Sequence, residues 1–332
     1  MFWAPYGKYW LQARKVWRTE LLSARQLSSH EHVRREEIRA LLRDLRAAAL
    51  RDHLFMLNLS VISRMVMGKK YVAVEDDAGP AATPEEVRCW TGSWSVLDEH
   101  DGRRRREGEG FVPRDMVDQL LRLAEDPSME VPITRDGIKA FVLDSIAAGT
   151  DTSAVTVEWA LSELLRNPTA LATATEELDR VVARDRLATE PSPLLSPRMC
   201  HDDVSVGGYD IPAGTCVAVN AWAIGRDPAE WDSPGEFRPE RFIDSGVDVK
   251  GQDFKLLPFG SARRMCPGIG LGLKLVHVTL ANLLHAFAWR LPDGGAAAGL
   301  NMEEELRFTM PRKVPLEATA EPKLPARLYS EP

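Results

Sequence analysis

Apolar side chains recur every three to four positions along much of the chain, which is the spacing of amphipathic helices. The pattern predicts helices over residues 6–26, 31–66, 114–124, 169–186 and 267–287. In the second of these helices the periodic positions are Leu41, Leu42, Leu45, Leu54, Leu57, Val61 and Ile62. The Gly-Lys-Lys sequence that follows them is typical of a helix end.

The longest apolar pattern predicts a helix between Thr134, a suitable N-cap, and Pro168, which ends it. Its middle, IAAGTDTSAVTV over residues 146–157, is poor in strong helix formers. Gly149 and several β-branched residues weaken a helix interior, and proteins commonly keep such a local defect for function. This stretch is therefore a candidate functional segment.

Strand patterns are short and fall mainly in the second half of the chain. Residues 191–220 alternate apolar and polar positions and contain Gly-Gly and Pro-Ala-Gly turns, which predicts strands joined by hairpins. Residues 71–84 and FRPERF (237–242) are predicted loops, and the Pro-rich tail over 290–329 is predicted to hold short strands. The predicted fold class is mainly α with a small β part, without internal repeats.

Composition narrows the class of protein. The chain has 332 residues, of which 44% are hydrophobic and 27% charged, as in a globular protein of one large domain or two smaller ones. Its net charge of −7 gives no basic footprint, so no nucleic-acid partner is expected. The early basic residues are interpreted as solvated helix faces, and the arginine run 103–106 as an exposed helix end or loop.

The cysteines and the N-terminus indicate a cellular setting. Cys89, Cys200, Cys216 and Cys266 show neither CxxC nor zinc spacing. Four cysteines are too few for a disulfide framework in a chain of this length, so we expect reduced thiols facing the cytosol. The N-terminus has no signal-peptide pattern, and no stretch approaches the ~20 apolar residues of a membrane span, so no transmembrane anchor is expected.

Cys266 lies in LPFGSARRMCPGIGLGLKL, just before the N-terminus of a predicted helix. Backbone N–H groups and the helix dipole favour a thiolate at such a position. The neighbouring residues are Arg263, Arg264, Gly268, Gly270 and Gly272. The glycines would let a flat group approach the backbone, and the arginines would meet carboxylates. Together these features indicate haem with Cys266 as its axial ligand.

Three other interpretations compete at this point. A lone cysteine is usually a small buried hydrophobe. A nucleophilic cysteine would need a positioned histidine; His277 and His285 lie in the following helix, but no catalytic signature surrounds them. The glycines form G-x-G-x-G after a loop and not a strand–GxGxxG–helix unit, so the signal for dinucleotide binding is weak.

The stretch PFGSARRMCPG resembles the cysteine-ligand loop of the cytochrome P-450 superfamily, whose pattern is Phe-x-x-Gly-x-Arg-x-Cys-x-Gly. Phe259, Arg264, Cys266 and Gly268 match this pattern, and Ala262 replaces its first glycine. That glycine permits a tight turn, so alanine is expected to add strain there. The resemblance implies a mainly α cytochrome P-450 fold, haem b (iron protoporphyrin IX) and Cys266 as the iron ligand.

AGTDTS (148–153) resembles the oxygen-binding stretch in the long central helix of the same family. The resemblance implies that Ala148 and Gly149 leave room above the iron for dioxygen. It also implies that Thr152 hydrogen-bonds dioxygen and that Asp151 relays protons. A hydroxyl in mid-helix is further expected to disturb the backbone ladder and to open a local groove.

Further stretches extend the resemblance along the chain. YWLQAR is similar to the Trp-x-x-x-Arg helix, PLLSPR to the strand at the haem edge, and FRPERF to the Pro-Glu-Arg-Phe loop with its structural Arg241. These matches imply that the haem propionates are held by Trp10, Arg14, Arg198 and Arg264.

The sequence as a whole most resembles plant biosynthetic members such as the flavonoid hydroxylases. The resemblance implies a monooxygenase that uses dioxygen on a small lipophilic plant metabolite. The implied electron donor is an NADPH-cytochrome reductase, and the implied location is the cytosolic face of the endoplasmic reticulum membrane.

Residues 1–332 are interpreted as a single but incomplete domain of this kind. The membrane anchor, the proline hinge and the first sheet segment of the family are expected to be missing. Most of the substrate lid is expected to be missing between Trp90 and Leu97, and the Glu-x-x-Arg helix within RDRLATEPSPLLSPR. Glu36–Arg39 and Glu177–Arg180 share that helix's spacing, but such pairs are common on exposed helices.

The gaps leave two functions from different classes open. The first is the haem-thiolate monooxygenase, and the second is a non-catalytic truncated remnant with impaired haem binding. If Arg241 were buried without the carboxylate of the missing helix, the cost would be several kcal/mol. A third interpretation, a cysteine hydrolase or redox protein, predicts a reactive Cys266 with a histidine partner and no haem.

Overall fold

The computed structural model describes residues 4–45, 50–70, 95–181, 196–292, 299–307 and 309–330. The helices are α1 (Lys8–Val16), α2 (Ala24–Ser29), α3 (Glu31–Asp44), α4 (Leu50–Met67), α5 (Ser95–Glu107), α6 (Met116–Ala124), α7 (Arg135–Arg166), α8 (Pro168–Val181), α9 (Ala221–Ile224), α10 (Ile269–Ala286) and α11 (Arg327–Ser330). The strands are β1 (Ser196–Met199), β2 (Val204–Val206), β3 (Tyr209–Ile211), β4 (Cys216–Val219), β5 (Phe287–Arg290) and β6 (Thr319–Pro322).

The strands form three antiparallel pairs, β1 with β4, β2 with β3, and β5 with β6. The predicted fold class, mainly α with a small β part, is confirmed. The hairpins predicted over 191–220 are present from residue 196 onwards. The predicted loop over 71–84 lies outside the described residues.

Two predicted helices are divided. The first becomes α1, a π-helical turn over Trp17–Leu21, and α2. The hydroxyl of Ser23 accepts a hydrogen bond from the Gln26 backbone N–H and so begins α2 as an N-cap. The second predicted helix becomes α3 and α4, and residues 46–49 between them are outside the described part of the chain.

The core lies around α7, which has buried residues on all its sides, as expected of a helix inside a domain. Helix α4 packs along α7, and α10 packs against α3, α7 and α8. Buried side chains of α3, α4, α7 and α10 belong to one apolar cluster, and partly buried side chains of α8 pack against it. Helix α10 is long and apolar enough to cross a membrane by length and composition, but this packing makes it a core helix.

The bounds of α7 follow the local signals in the sequence. Thr134 Oγ1 accepts a hydrogen bond from the Gly137 backbone N–H at 3.0 Å, which confirms the N-cap. The helix ends at Arg166, and Pro168 begins α8. Helix α7 is continuous through its middle, and the local groove expected there stays a prediction. Its hydroxyls, including that of Thr152, donate to carbonyls one turn back without displacing the helical N–H groups.

The arginine run 103–106 is only partly as expected. It lies in the last turn of α5, and its last two residues are exposed. Arg103 donates to the buried carboxylate of Asp118, and Arg104 donates to Glu125. Both arginines are therefore half-buried and join α5 to α6.

Candidate active site

The loop before α10 is a tight turn stabilised by its own backbone. The Cys266 N–H donates to the Phe259 carbonyl at 2.8 Å. Gly260 has a φ of +67°, which glycine adopts without a steric cost. A Cβ on Gly251 would lie 2.6 Å from the Gly260 carbonyl oxygen, so the neighbouring loop approaches this turn at backbone distance. The loop thus fixes the position of Cys266.

Cys266 precedes α10, whose N-cap is Gly268. Burial raises the pKa of the Cys266 thiol, while hydrogen bonds from the N–H groups of Gly268 and Ile269 and the charge of Arg14 act in the opposite direction. Burial is the largest of these effects, and it opposes the thiolate that a position before a helix N-terminus favours. The sulfur nonetheless faces donors and a cation that stabilise negative charge.

The expected strain at the substituted glycine is present. Ala262 has a φ of +52°, in the left-handed region that costs an L-residue roughly 1–2 kcal/mol. Ala262 is the first residue of a one-turn 3-10 helix, Ala262–Arg264, which lies just before Cys266. Strain of this kind persists only where the surrounding structure determines the backbone.

Replacing Ala262 by glycine is expected to raise the free energy of unfolding by about 0.5–1 kcal/mol. Relief of the left-handed strain exceeds the extra chain entropy that glycine brings to the unfolded state. Chemical denaturation of the apoprotein measures the change. Ala221→Gly in helix α9 is the matched control and should lose about 1 kcal/mol. Destabilisation by both variants would contradict the strain at Ala262.

A buried tryptophan, Trp10, and Arg14 lie against this loop, which itself carries Arg264. Arg14 donates to the Met265 carbonyl, and Arg264 donates to the Ala4 carbonyl at 2.9 Å. The Arg264 guanidinium lies over the Trp10 ring, 4.6 Å from its centroid. Trp10 is only 2% exposed, and its indole Nε1 has no hydrogen-bond partner among the described residues. A buried donor without a partner is costly unless a ligand accepts from it.

The charge of Arg264, which lies over this tryptophan, acts on two further arginines. Burial lowers the pKa of Arg14, and the charges of Arg18 and Arg264 add to that shift, while Cys266 opposes it. Burial and the charge of Arg264 lower the pKa of Arg198, and burial lowers the pKa of Arg264 itself. Guanidinium groups that repel one another form a favourable site for a ligand with carboxylates.

The stretch that resembles the oxygen-binding segment lies in the middle of α7. A Cβ on Gly149 would lie 2.9 Å from Ile62 Cδ1, so the missing side chain serves the close approach of α4. Gly149 therefore has a packing role, and the room it was expected to leave for dioxygen stays a prediction. Ala148 is half-buried, and its carbonyl accepts from the Thr152 hydroxyl at 2.7 Å. Asp151 Oδ2 accepts a hydrogen bond from Thr309 Oγ1.

The candidate residues fall into two groups. The group around the cysteine loop contains Trp10, Arg14, Arg198, Phe259, Arg264, Cys266 and Gly268. The α7 group contains Ala148, Gly149, Asp151 and Thr152. Helix α7 packs against α10, which follows the loop, but the contacts of Gly149 and Asp151 run to α4 and Thr309. Sequence reasoning missed Thr309, because no local pattern in the tail marks it.

The glycines after the cysteine also have protein neighbours. A Cβ on Gly270 would lie 3.5 Å from Leu27, and one on Gly272 would lie 3.7 Å from the Phe259 ring. Both distances are ordinary van der Waals contacts. These protein neighbours therefore do not require glycine, and the approach of a flat ligand stays a prediction.

Arg241 is not buried without a partner, although the helix that would supply its carboxylate is expected to be missing. It is partly exposed, and its guanidinium donates to the backbone carbonyls of Asp232, Ser233, Glu236 and Arg238 at 2.9–3.2 Å. Because these carbonyls satisfy its donors, Arg241 is not left as a buried charge without a partner.

One protein family matches the chain, and the match consists of two segments. The family described as cytochrome P-450 matches residues 96–192 and, as a second segment, residues 186–314. The two segments overlap at 186–192, where the Glu-x-x-Arg helix is expected to be missing. These residues lie outside the described part of the structure.

Curated relatives include two maize proteins. The chain is 43% identical to trimethyltridecatetraene synthase of Zea mays over 409 residues, which cover 98% of this chain and 74% of the relative. It is 42% identical to dimethylnonatriene synthase of Zea mays, with 98% and 76% covered. The first alignment is longer than the chain's 332 residues, so it spans internal positions that this chain does not fill.

A solved structure of zebra fish cytochrome P-450 with abiraterone shares the fold. Its TM-score is 0.76 at 22% sequence identity, and the match covers 97% of this chain and 84% of that one. A second zebra fish structure, with progesterone, has a TM-score of 0.73 at 21% identity, covering 96% and 84%.

Proposed function

Because the chain belongs to the cytochrome P-450 family, we propose that it is a haem-thiolate monooxygenase that inserts one oxygen atom into a small lipophilic plant metabolite. The family match and the plant relatives give the general class, a monooxygenase. One observation supports the proposal that this chain itself binds haem and has the activity of its family. The buried Trp10 Nε1 lacks a partner beside Arg264, whose charge repels both Arg14 and Arg198, in the loop that holds Cys266.

These residues fit haem b. Its two propionates would accept from Trp10 Nε1 and pair with Arg14, Arg198 and Arg264, which would remove the charge repulsion among the guanidiniums. Cys266 Sγ would bind the iron, and the backbone N–H groups that reach this sulfur would stabilise its negative charge. When bound, thiolate-ligated haem supplies the activation of dioxygen.

The α7 residues would handle protons. In the proposed reaction one oxygen atom enters the substrate and the other leaves as water, with two electrons and two protons consumed. Asp151 would take up protons at its carboxylate and pass them to the Thr152 hydroxyl. That hydroxyl now donates to the Ala148 carbonyl, and its free lone pairs are positioned to accept.

The relatives support an apolar substrate. The names of both maize proteins describe methyl-branched, acyclic polyenes rather than flavonoids. Because a synthase is named for its product, we propose for this chain a substrate with a similar acyclic, methyl-branched carbon skeleton. The electron donor would be an NADPH-cytochrome reductase, and the location would be the cytosolic face of the endoplasmic reticulum membrane, as the family implies.

The second candidate is a non-catalytic remnant with impaired haem binding. The two-segment family match and the unfilled internal positions of the alignment favour it. The carbonyls around Arg241 weigh against it, since they remove the cost expected from the missing carboxylate.

A spectrum of the purified chain separates the two candidates. The protein is expressed with a supply of haem precursor, reduced with dithionite and exposed to carbon monoxide. The monooxygenase proposal predicts stoichiometric haem and the red-shifted Soret band of thiolate ligation. Apoprotein, or a band typical of a neutral or histidine ligand, would favour the remnant.

A further inference from the structure

Asp151 has one partner that the sequence did not indicate. Its Oδ2 accepts a hydrogen bond from the Thr309 hydroxyl, 158 residues further along the chain. Thr309 is 8% exposed, so this bond is largely shielded from water. A hydrogen bond to a carboxylate in such surroundings restricts the rotamers of the acid.

Thr309 lies in a segment that α7 holds in place at several points. The Trp159 indole N–H donates to the Met310 carbonyl at 3.0 Å. Glu158 Oε1 accepts from the Leu316 backbone N–H at 2.8 Å. The buried Arg312 guanidinium lies over the Trp159 ring at 5.6 Å. The segment over 309–316 is therefore fixed against this helix independently of Thr309.

The periodicity of α7 explains why these contacts act together. Asp151 and Glu158 are seven residues apart, which is about two helical turns, so both lie on one face with Trp159 beside them. Met310, next to Thr309, has a φ of +48°. Left-handed backbone at a non-glycine residue is maintained only by its surroundings, and here those surroundings aim Thr309 at Asp151.

We propose that Thr309 is a positioning residue that holds the Asp151 carboxylate on the face of α7 for proton delivery. The role in proton delivery rests on the proposed function, whereas the hydrogen bond between Thr309 and Asp151 is present in the apoprotein. A merely structural role is the competing interpretation. Because Glu158 and Trp159 already dock the segment, loss of the Thr309 hydroxyl should affect proton handling more than folding.

The first test is a double-mutant cycle in the apoprotein with Thr309→Val, Asp151→Ala and both together. If the hydroxyl holds the carboxylate, the double variant shifts the denaturation midpoint by less than the sum of the single shifts. Additive shifts would overturn the proposal. This readout does not depend on haem.

The second test uses the haem-loaded protein with NADPH and a plant reductase, without added substrate. NADPH then supplies two electrons and the solvent two protons to reduce dioxygen to hydrogen peroxide. Thr309→Val is expected to slow dioxygen consumption at least threefold and to change its pH profile between pH 6 and 9. Thr309→Ser should restore both within twofold.

Thr175→Val is the matched control, since this half-buried threonine donates to a helix carbonyl in α8, away from the site. The apoprotein cycle can show coupling while Thr309→Val leaves dioxygen consumption unchanged. Thr309 would then have a structural role only, and the positioning role would be overturned. Failure to bind haem would count against the proposed function, while the apoprotein cycle would still decide whether Thr309 holds Asp151.

Discussion

Cys266→Ser is expected to abolish the red-shifted Soret band of the reduced, carbon monoxide-treated protein completely. Serine places a hydroxyl where the thiolate would bind iron, and an alkoxide is a poor substitute ligand. The serine oxygen still accepts from the Gly268 and Ile269 N–H groups. The free energy of unfolding of the apoprotein should therefore change by less than about 1 kcal/mol.

Cys200→Ser is the matched control for this experiment. Cys200 is a half-buried free cysteine beside β1, and its substitution should leave the Soret band unchanged. Haem content is measured alongside the spectrum. It distinguishes a protein whose haem has lost the thiolate ligand from a protein that has lost the haem itself. A red-shifted band that persists in Cys266→Ser would remove Cys266 from the role of iron ligand.

Local features of this site could be predicted from the sequence. The Thr134 cap, the ends of α7 and the strain at Ala262 depend on residues that are neighbours along the chain. The cysteine loop is also local, because the Cys266 N–H returns to Phe259 only seven residues earlier. Short-range steric and hydrogen-bonding rules are sufficient for such features.

Contacts between distant elements could not be predicted in the same way. Gly149 has a packing role because Ile62, on α4, lies against it. The sequence of α7 alone presents this glycine only as a helix defect. The raised pKa of the Cys266 thiol is long-range in the same sense, since burial by the whole domain opposes the local effect of a helix N-terminus.

The anchoring of residues 309–316 is another long-range feature. Glu158 is completely buried in mid-helix, where the sequence offers no partner for it. Its partners, Arg51 and Leu316, are 107 and 158 residues away. A buried carboxylate needs such partners to offset its desolvation, so Glu158 marks the point where α4, α7 and the tail are joined.

Glu158→Ala is expected to lower the free energy of unfolding by about 3–4 kcal/mol, a large part of the ~5–15 kcal/mol typical of a domain. The change removes the 2.8 Å ion pair with Arg51 and leaves the Leu316 N–H unpaired. Burial lowers the pKa of Arg312, and the Glu158 carboxylate opposes that shift, so the substitution also removes favourable charge from a buried guanidinium. Urea denaturation of the apoprotein measures the loss.

Glu163→Ala, five residues later in the same helix, is the matched control. Its ion pair with Arg166 is a 3.8 Å pair at i, i+3 near the surface, so the expected loss is below about 1 kcal/mol. If the two variants lost equal stability, Glu158 would not be the anchor of the tail. A larger loss in Glu158→Ala, with faster proteolysis near residues 309–316, would show that this carboxylate holds the segment carrying Thr309 against α7.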